Sequence, residues 1–168
     1  MADTPVDISA LYRGNVVAVY SYLARRCGDR DVAEELTAEA FLAAVDALGR
    51  RPPRAADAGW LIGIARHKLV DYWRRRDRQD RTLRSVALPD EAADDRALEA
   101  LEPARAERAL AALPVRHRLV LTLRYLDGLA VPDLAQLLGT TVHGAESRLA
   151  RARASLRAAY ETEQETMP

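Results

Sequence analysis

The stretch LGTTVHGAESRLARARASLR, residues 138–157, gathers side chains suited to one kind of chemistry. Arg148, Arg151 and Arg153 are permanently charged forks. Such forks match phosphate oxygens and the acceptor edge of guanine. Thr141 can cap the start of a helix, and Gly139 supplies the turn before it. Upstream, Pro132 suits a first helical position, and Leu134, Leu137 and Leu138 are spaced to pack inward. Ala135, Gly139 and Ala145 have the spacing of a helix-turn-helix, whose second helix enters the major groove. An ordinary helical hairpin with a solvated basic face has the same pattern.

Two other blocks are set apart by charge. Residues 28–46 carry Asp29, Asp31, Glu34, Glu35, Glu39 and Asp46 against Arg30. Residues 62–84 carry Arg66, Lys68, Arg74, Arg75, Arg76, Arg78, Arg81 and Arg84 against Asp71, Asp77 and Asp80. Formal net charge is zero, so the alternation of blocks, and not the total, points to two sorts of partner surface. Enzyme chemistry finds no footing: His67, His117 and His143 are isolated, and no paired carboxylates, nucleophile motif or Gly-rich phosphate loop occurs. Cys27 is the single cysteine, which excludes an internal disulfide and a Cys-cluster metal site and reads as a small apolar filler. No cofactor or metal is expected. No leader-like opening or membrane-length apolar run is seen, so a cytoplasmic protein without membrane insertion is expected.

Helices must position these residues. Lys68 is the only lysine among 25 basic residues, a skew that fits GC-rich codon usage, so helicity is read from spacing and not from Ala content. Leu11, Val16, Val17, Tyr20 and Leu23 predict a first helix, broken at Gly28 and Asp29. Asp31 is the expected cap of a second, with a stripe of Val32, Leu36, Phe41, Val45 and Leu48 that ends at Gly49, Pro52 and Pro53. After a loop over 49–58, Trp60, Leu61, Ile64, Ala65, Leu69 and Tyr72 predict a third, running into the arginines. Residues 85–103 read as an acidic linker, with a short helical piece at 95–101. Helical spacing resumes at Ala109, Leu110, Leu113, Leu119, Leu123 and Leu126, followed by a turn at Asp127-Gly128. The expected fold is all-α. Two small helical domains, 1–84 and 104–162, flank the linker, residues 163–168 form a tail, and the C-terminal domain is a helix-turn-helix.

LAALPVRHRLVLTLRYLDGLAVPDLAQLLG followed by SRLARAR resembles the promoter-reading C-terminal domain of the extracytoplasmic function (ECF) branch of sigma-70 factors. DRDVAEELTAEAFLAAVDAL and WLIGIARHKLVDYWRRR resemble that family's N-terminal domain, in the family's order and spacing. The resemblance implies an alternative sigma factor that binds core RNA polymerase and promoter DNA and is held inactive by an anti-sigma partner. A stand-alone helix-turn-helix regulator and a protein–protein adaptor are the alternatives, and the regulator leaves the acidic helix and the WLIGIARHKLVDYWRRR block unexplained.

By this resemblance Asp31, Glu34, Glu35 and Glu39, with Leu36 and Phe41 behind or beside them, dock on basic clamp helices of the polymerase. A solvated acidic face at a helix N-terminus accounts for Asp31 and Glu34 but less well for Glu35 and Glu39. Arg66, His67, Lys68, Tyr72, Trp73, Arg74, Arg75 and Arg76 fall where the family captures and melts the −10 element. Cations for the backbone and flat rings for unstacked bases suit that task. His67 stands where asparagine is usual, and one of Tyr72 and Trp73 belongs to the core. Trp60 shares a stripe with Ile64 and is also expected in the core. The linker corresponds to a segment that threads the RNA exit path, or it is a solvated tether.

Thr141, His143, Glu146, Ser147, Arg148, Arg151 and Arg153 fall where the family reads −35 DNA. Glu146 replaces the usual basic residue, and Gly144 weakens its helix by up to about 1 kcal/mol relative to alanine. Three readings of Glu146 stand: an acceptor for a cytosine amino group, a structural partner of the Thr141 cap or of Arg148 or Arg153, or a sign of lost DNA binding.

Overall fold

The computed structural model describes residues 6–51, 53–81, 98 and 100–165. Among these, the secondary structure is helical, and the chain divides into two compact units, 1–72 and 73–168. Most of the linker and residues 166–168 lie outside the described residues, whereas the first half of the tail expected at 163–168 is helical, because the last helix runs to Glu165.

In the first unit, α1 (Ile8–Cys27) and α2 (Arg30–Arg50) pack against each other, and α3 begins at Ala58 and runs to Arg81. The Asp7 carboxylate caps α1 by accepting from the N–H groups of Ser9 and Ala10 at 2.9 and 3.1 Å. Gly28, at φ 66°, takes the left-handed conformation that closes α1. Asp29 then caps α2, accepting from the N–H of Asp31 at 2.9 Å and of Val32 at 3.3 Å. The cap therefore lies two residues before Asp31, which sits in the first turn as a dipole partner. Leu11, Val19 and Leu23 of α1 and Ala33, Leu36, Ala40, Phe41 and Ala44 of α2 form the core, with Leu61, Ala65, Leu69 and Val70 of α3 also buried. Trp60 is only half-buried. Cys27, half-buried at the end of α1, has its thiol pushed up to about 11 by burial and then by Asp29, so it stays protonated.

The second unit takes in the end of α3 together with α4 (Pro103–Ala112), α5 (Val115–Leu121), a π-helical turn (Thr122–Leu126), α6 (Val131–Leu137) and α7 (Val142–Glu165). α7 packs on α4, α5 and α6 and buries Ala145, Leu149, Ala152 and Leu156 at helical spacing. Its far end is clamped to the start of α4. The Arg105 guanidinium carbon lies 3.8 Å from the centre of the Tyr160 ring, and the Tyr160 hydroxyl accepts from the Glu102 N–H at 3.0 Å.

The π turn alters the expected stripe. The Asp127 N–H reaches back five residues to the Thr122 carbonyl at 3.0 Å, one more than an α-helix allows. Leu119 and Leu123 are buried as expected, whereas the extra residue turns Leu126 outward, 56% exposed.

Candidate functional site

The turn between α6 and α7 is built to aim the second helix. The Thr140 N–H bonds the Ala135 carbonyl at 2.9 Å and the Gly139 N–H bonds that of Gln136 at 3.1 Å, a Schellman closure with Gly139 at φ 60°. Ala135 and Ala145 are buried, as a close helix-turn-helix crossing requires. Thr141 Oγ1 accepts from the Gly144 N–H at 3.0 Å, so the predicted cap is present. Pro132 occupies the second helical position of α6, one later than expected.

From that cap, α7 presents His143, Glu146, Arg148, Arg151 and Arg157 to solvent, with Ser147 half-exposed. At 100° per residue, Arg148 and Arg151 lie on one flank, and Glu146 lies towards the other. Arg153 differs from its expected role. It is half-buried, with Nη1 donating to the Tyr125 hydroxyl at 3.2 Å, so that arginine is anchored to the π turn and does not stand free on the outer face. Glu146 makes no hydrogen bond or ion pair among the described residues. The structural partners expected for it do not form: the Thr141 cap is taken by the Gly144 N–H, and Arg148 lies two residues on, across the helix.

Along α3, His67 is exposed with Nδ1 2.8 Å from the Gly63 carbonyl, and Lys68 Nζ lies 3.7 Å from the Glu39 carboxylate. Arg66 and Tyr72 are half-exposed, and Arg75 and Arg76 are exposed. Trp73, at 3% exposure, is core and cannot stack on a base, which answers which of the adjacent rings is structural. Arg74 is half-buried, with Nη2 donating to the Leu137 carbonyl at 3.1 Å.

On α2, Asp31, Glu34 and Glu35 are exposed, and Glu39 is partly covered. Glu34 accepts from Arg30 Nε at 2.8 Å. Leu36, 1% exposed, is turned into the core, whereas Phe41, edge-on to Tyr12 with ring centroids 4.8 Å apart, lines the groove between α1 and α2. Val17 of α1, at 74%, and Leu42 of α2, at 71%, are the most exposed of the large apolar residues described, and Tyr12 and Val45 are also exposed. Val17 and Leu42 border that groove, mostly apolar and of about 720 Å³, with Tyr12, Val16, Tyr20, Ala38 and Val45. Sequence reasoning passed over Leu42, although an apolar residue beside the core stripe, on the face of Asp31 and Glu35, was the available signal.

Residues 11–79 match the family Sigma-70 region 2, and residues 104–156 match the family Sigma-70, region 4. The chain is 36% identical over 126 residues to the probable RNA polymerase sigma-C factor of Mycobacterium bovis, covering 74% of this chain and 68% of that protein. The chain belongs to the extracytoplasmic function (ECF) subfamily of sigma-70 factors. It is also 33% identical over 126 residues to the ECF sigma factor BldN of Streptomyces coelicolor, covering 72% of this chain and 48% of that one. Likeness to CnrH of Cupriavidus metallidurans is 32% over 143 residues, covering 79% and 75% of the two chains. The chain thus spans from about half to three quarters of the length of these relatives. The fold is shared with RpoE of Bartonella quintana, solved with the anti-sigma factor NepR: TM-score 0.55, 21% identity, 92% of this chain and 97% of that one. An ECF sigma factor serves transcription initiation, and the two matched regions place the acidic and apolar face and α3 in region 2 and the helix-turn-helix in region 4.

Proposed function

We propose that this ECF sigma factor is a non-catalytic, dissociable subunit that docks on core RNA polymerase through its first unit and reads the −35 element through α7. The observation that carries the reading is α7 itself: a capped helix behind a Schellman turn, with Arg148 and Arg151 facing outward. Arginines so placed supply the backbone attraction on which specific readout is built. Arg75 and Arg76 on α3 supply charge for the −10 strand, and Tyr72 is its candidate stacking ring.

Docking is assigned to the strip of Asp31, Glu35 and Leu42 and to the apolar groove beside it. Carboxylates set the register on a basic partner, and Leu42 and Val17 add buried area. Glu39, already paired with Lys68, contributes less. Among the described residues no helix is long and apolar enough to cross a membrane, and we infer a cytoplasmic protein. Family membership also implies control by an anti-sigma partner, as in the structure of RpoE with NepR.

Run-off transcription with purified core polymerase tests the reading. A promoter-specific transcript is expected with the wild type. Leu42→Arg should lose co-elution with core while keeping its melting temperature. Failure of the wild type to bind core would sink the assignment, whereas core binding without a specific transcript would favour an adaptor.

A further inference from the structure

We infer that Glu146 reads a cytosine in the −35 element by accepting a hydrogen bond from its N4 amino group. The inference rests on the promoter-reading assignment of α7. Glu146 stands in the second turn of the helix, where helix-turn-helix proteins touch base edges, and its side chain is exposed. One turn to either side lie Val142, His143, Leu149 and Ala150, so no lysine or arginine stands at the spacing of an ion pair. The helix start does not need Glu146: Thr141 already holds the Gly144 N–H, and a capping box would place its carboxylate at position 144. Arg153, two turns on, is held by the Tyr125 hydroxyl.

A carboxylate on a DNA-facing helix only accepts hydrogen bonds, and near phosphates it is repelled. It is favourable there only if it meets a donor. In the major groove the base-edge donors are the adenine N6 and cytosine N4 amino groups. The adenine amino group lies between two acceptors, its own N7 and the O4 of the paired thymine. The cytosine amino group has an acceptor on one side only, the O6 of guanine, and a C5–H on the other. The carboxylate therefore prefers cytosine. Arg148 and Arg151, on the other flank of the helix, supply the phosphate attraction that offsets its charge.

The test is enrichment of promoter DNA randomised across the −35 element, using holoenzyme of core polymerase with the full chain. The wild type should enrich cytosine at one position by about tenfold over the other bases. Glu146→Ala should flatten that position and leave the rest of the motif intact, which also reports a folded domain. Glu146→Gln should shift it towards adenine, because an amide pairs with adenine N6 and N7. A motif with no cytosine position, or one unchanged in both variants, overturns the inference while leaving promoter reading intact. Holoenzyme that forms but enriches no −35 sequence overturns the promoter-reading assignment, and this inference falls with it.

Discussion

Gly144 sits in the first turn of α7, where glycine costs about 1 kcal/mol relative to alanine, and the structure gives a steric reason for it. A Cβ at this position would meet Thr140 Oγ1 and lie 3.2 Å from Thr141 Oγ1, the atom that caps the helix. Gly144→Ala alone should therefore bring little or none of the usual gain in stability, because Thr140 must rotate aside. In a Thr140→Ala background the same substitution should gain up to about 1 kcal/mol. Urea unfolding of the four proteins of this cycle measures the coupling, and additive effects would show that the threonine is not the cause. At this scale the sequence disclosed residue types better than their commitments. The arginines of 62–84 and 148–157 are legible as cations, but nothing in the string tells that Arg153 is held by Tyr125, 28 residues earlier, or Arg74 by the Leu137 carbonyl. The same is true of Trp73 and Tyr72, whose neighbours decide which is buried.

Helix boundaries here are set by short polar residues, and α2 shows how much rests on one of them. Asp29 accepts from two backbone N–H groups, while Asp31 acts only through the helix dipole. Asp29→Ala is expected to lower the unfolding free energy by about 1 kcal/mol and Asp31→Ala by less than half of that. Chemical denaturation of both variants decides: an equal or larger loss for Asp31→Ala would mean that the cap is misassigned. The helices themselves were readable because apolar spacing, turn glycines and prolines agree. Gly28, Gly139 and Thr141 act as the sequence suggests, at φ 66°, at φ 60° and as a cap. What was hidden is the π turn at Thr122–Leu126, since its leucines keep α-helical spacing while its hydrogen bonds do not. The face proposed for docking was half legible for a similar reason. Leu36 and Phe41 are expected behind or beside the carboxylates, and Leu36 lies behind them in the core with Phe41 edge-on to Tyr12 at its margin, but the exposed apolar residue of that face is Leu42, one position later.

For the molecule as a whole, positive and negative charges balance, so its pH response depends on individual buried groups. His117 is the one to follow. It is 7% exposed, and its Nδ1 has no hydrogen-bond partner among the described residues. Burial lowers its pKa from 6.5, with Arg116 and Arg151 adding to the effect and Asp77 opposing it. In the unfolded chain the imidazole titrates near 6.5, so between that value and the lowered one the unfolded state binds more protons than the folded state. Stability from this residue is complete above 6.5 and is lost as pH falls from there through the folded-state value. Most carboxylates do not begin to protonate until about pH 5, which leaves a window in which histidine dominates. Wild-type unfolding free energy should therefore decline between pH 7 and about pH 5. The buried site takes an apolar side chain without stranding a nitrogen, so in His117→Leu that decline should be shallower. Parallel slopes for the two proteins would mean that the loss arises elsewhere.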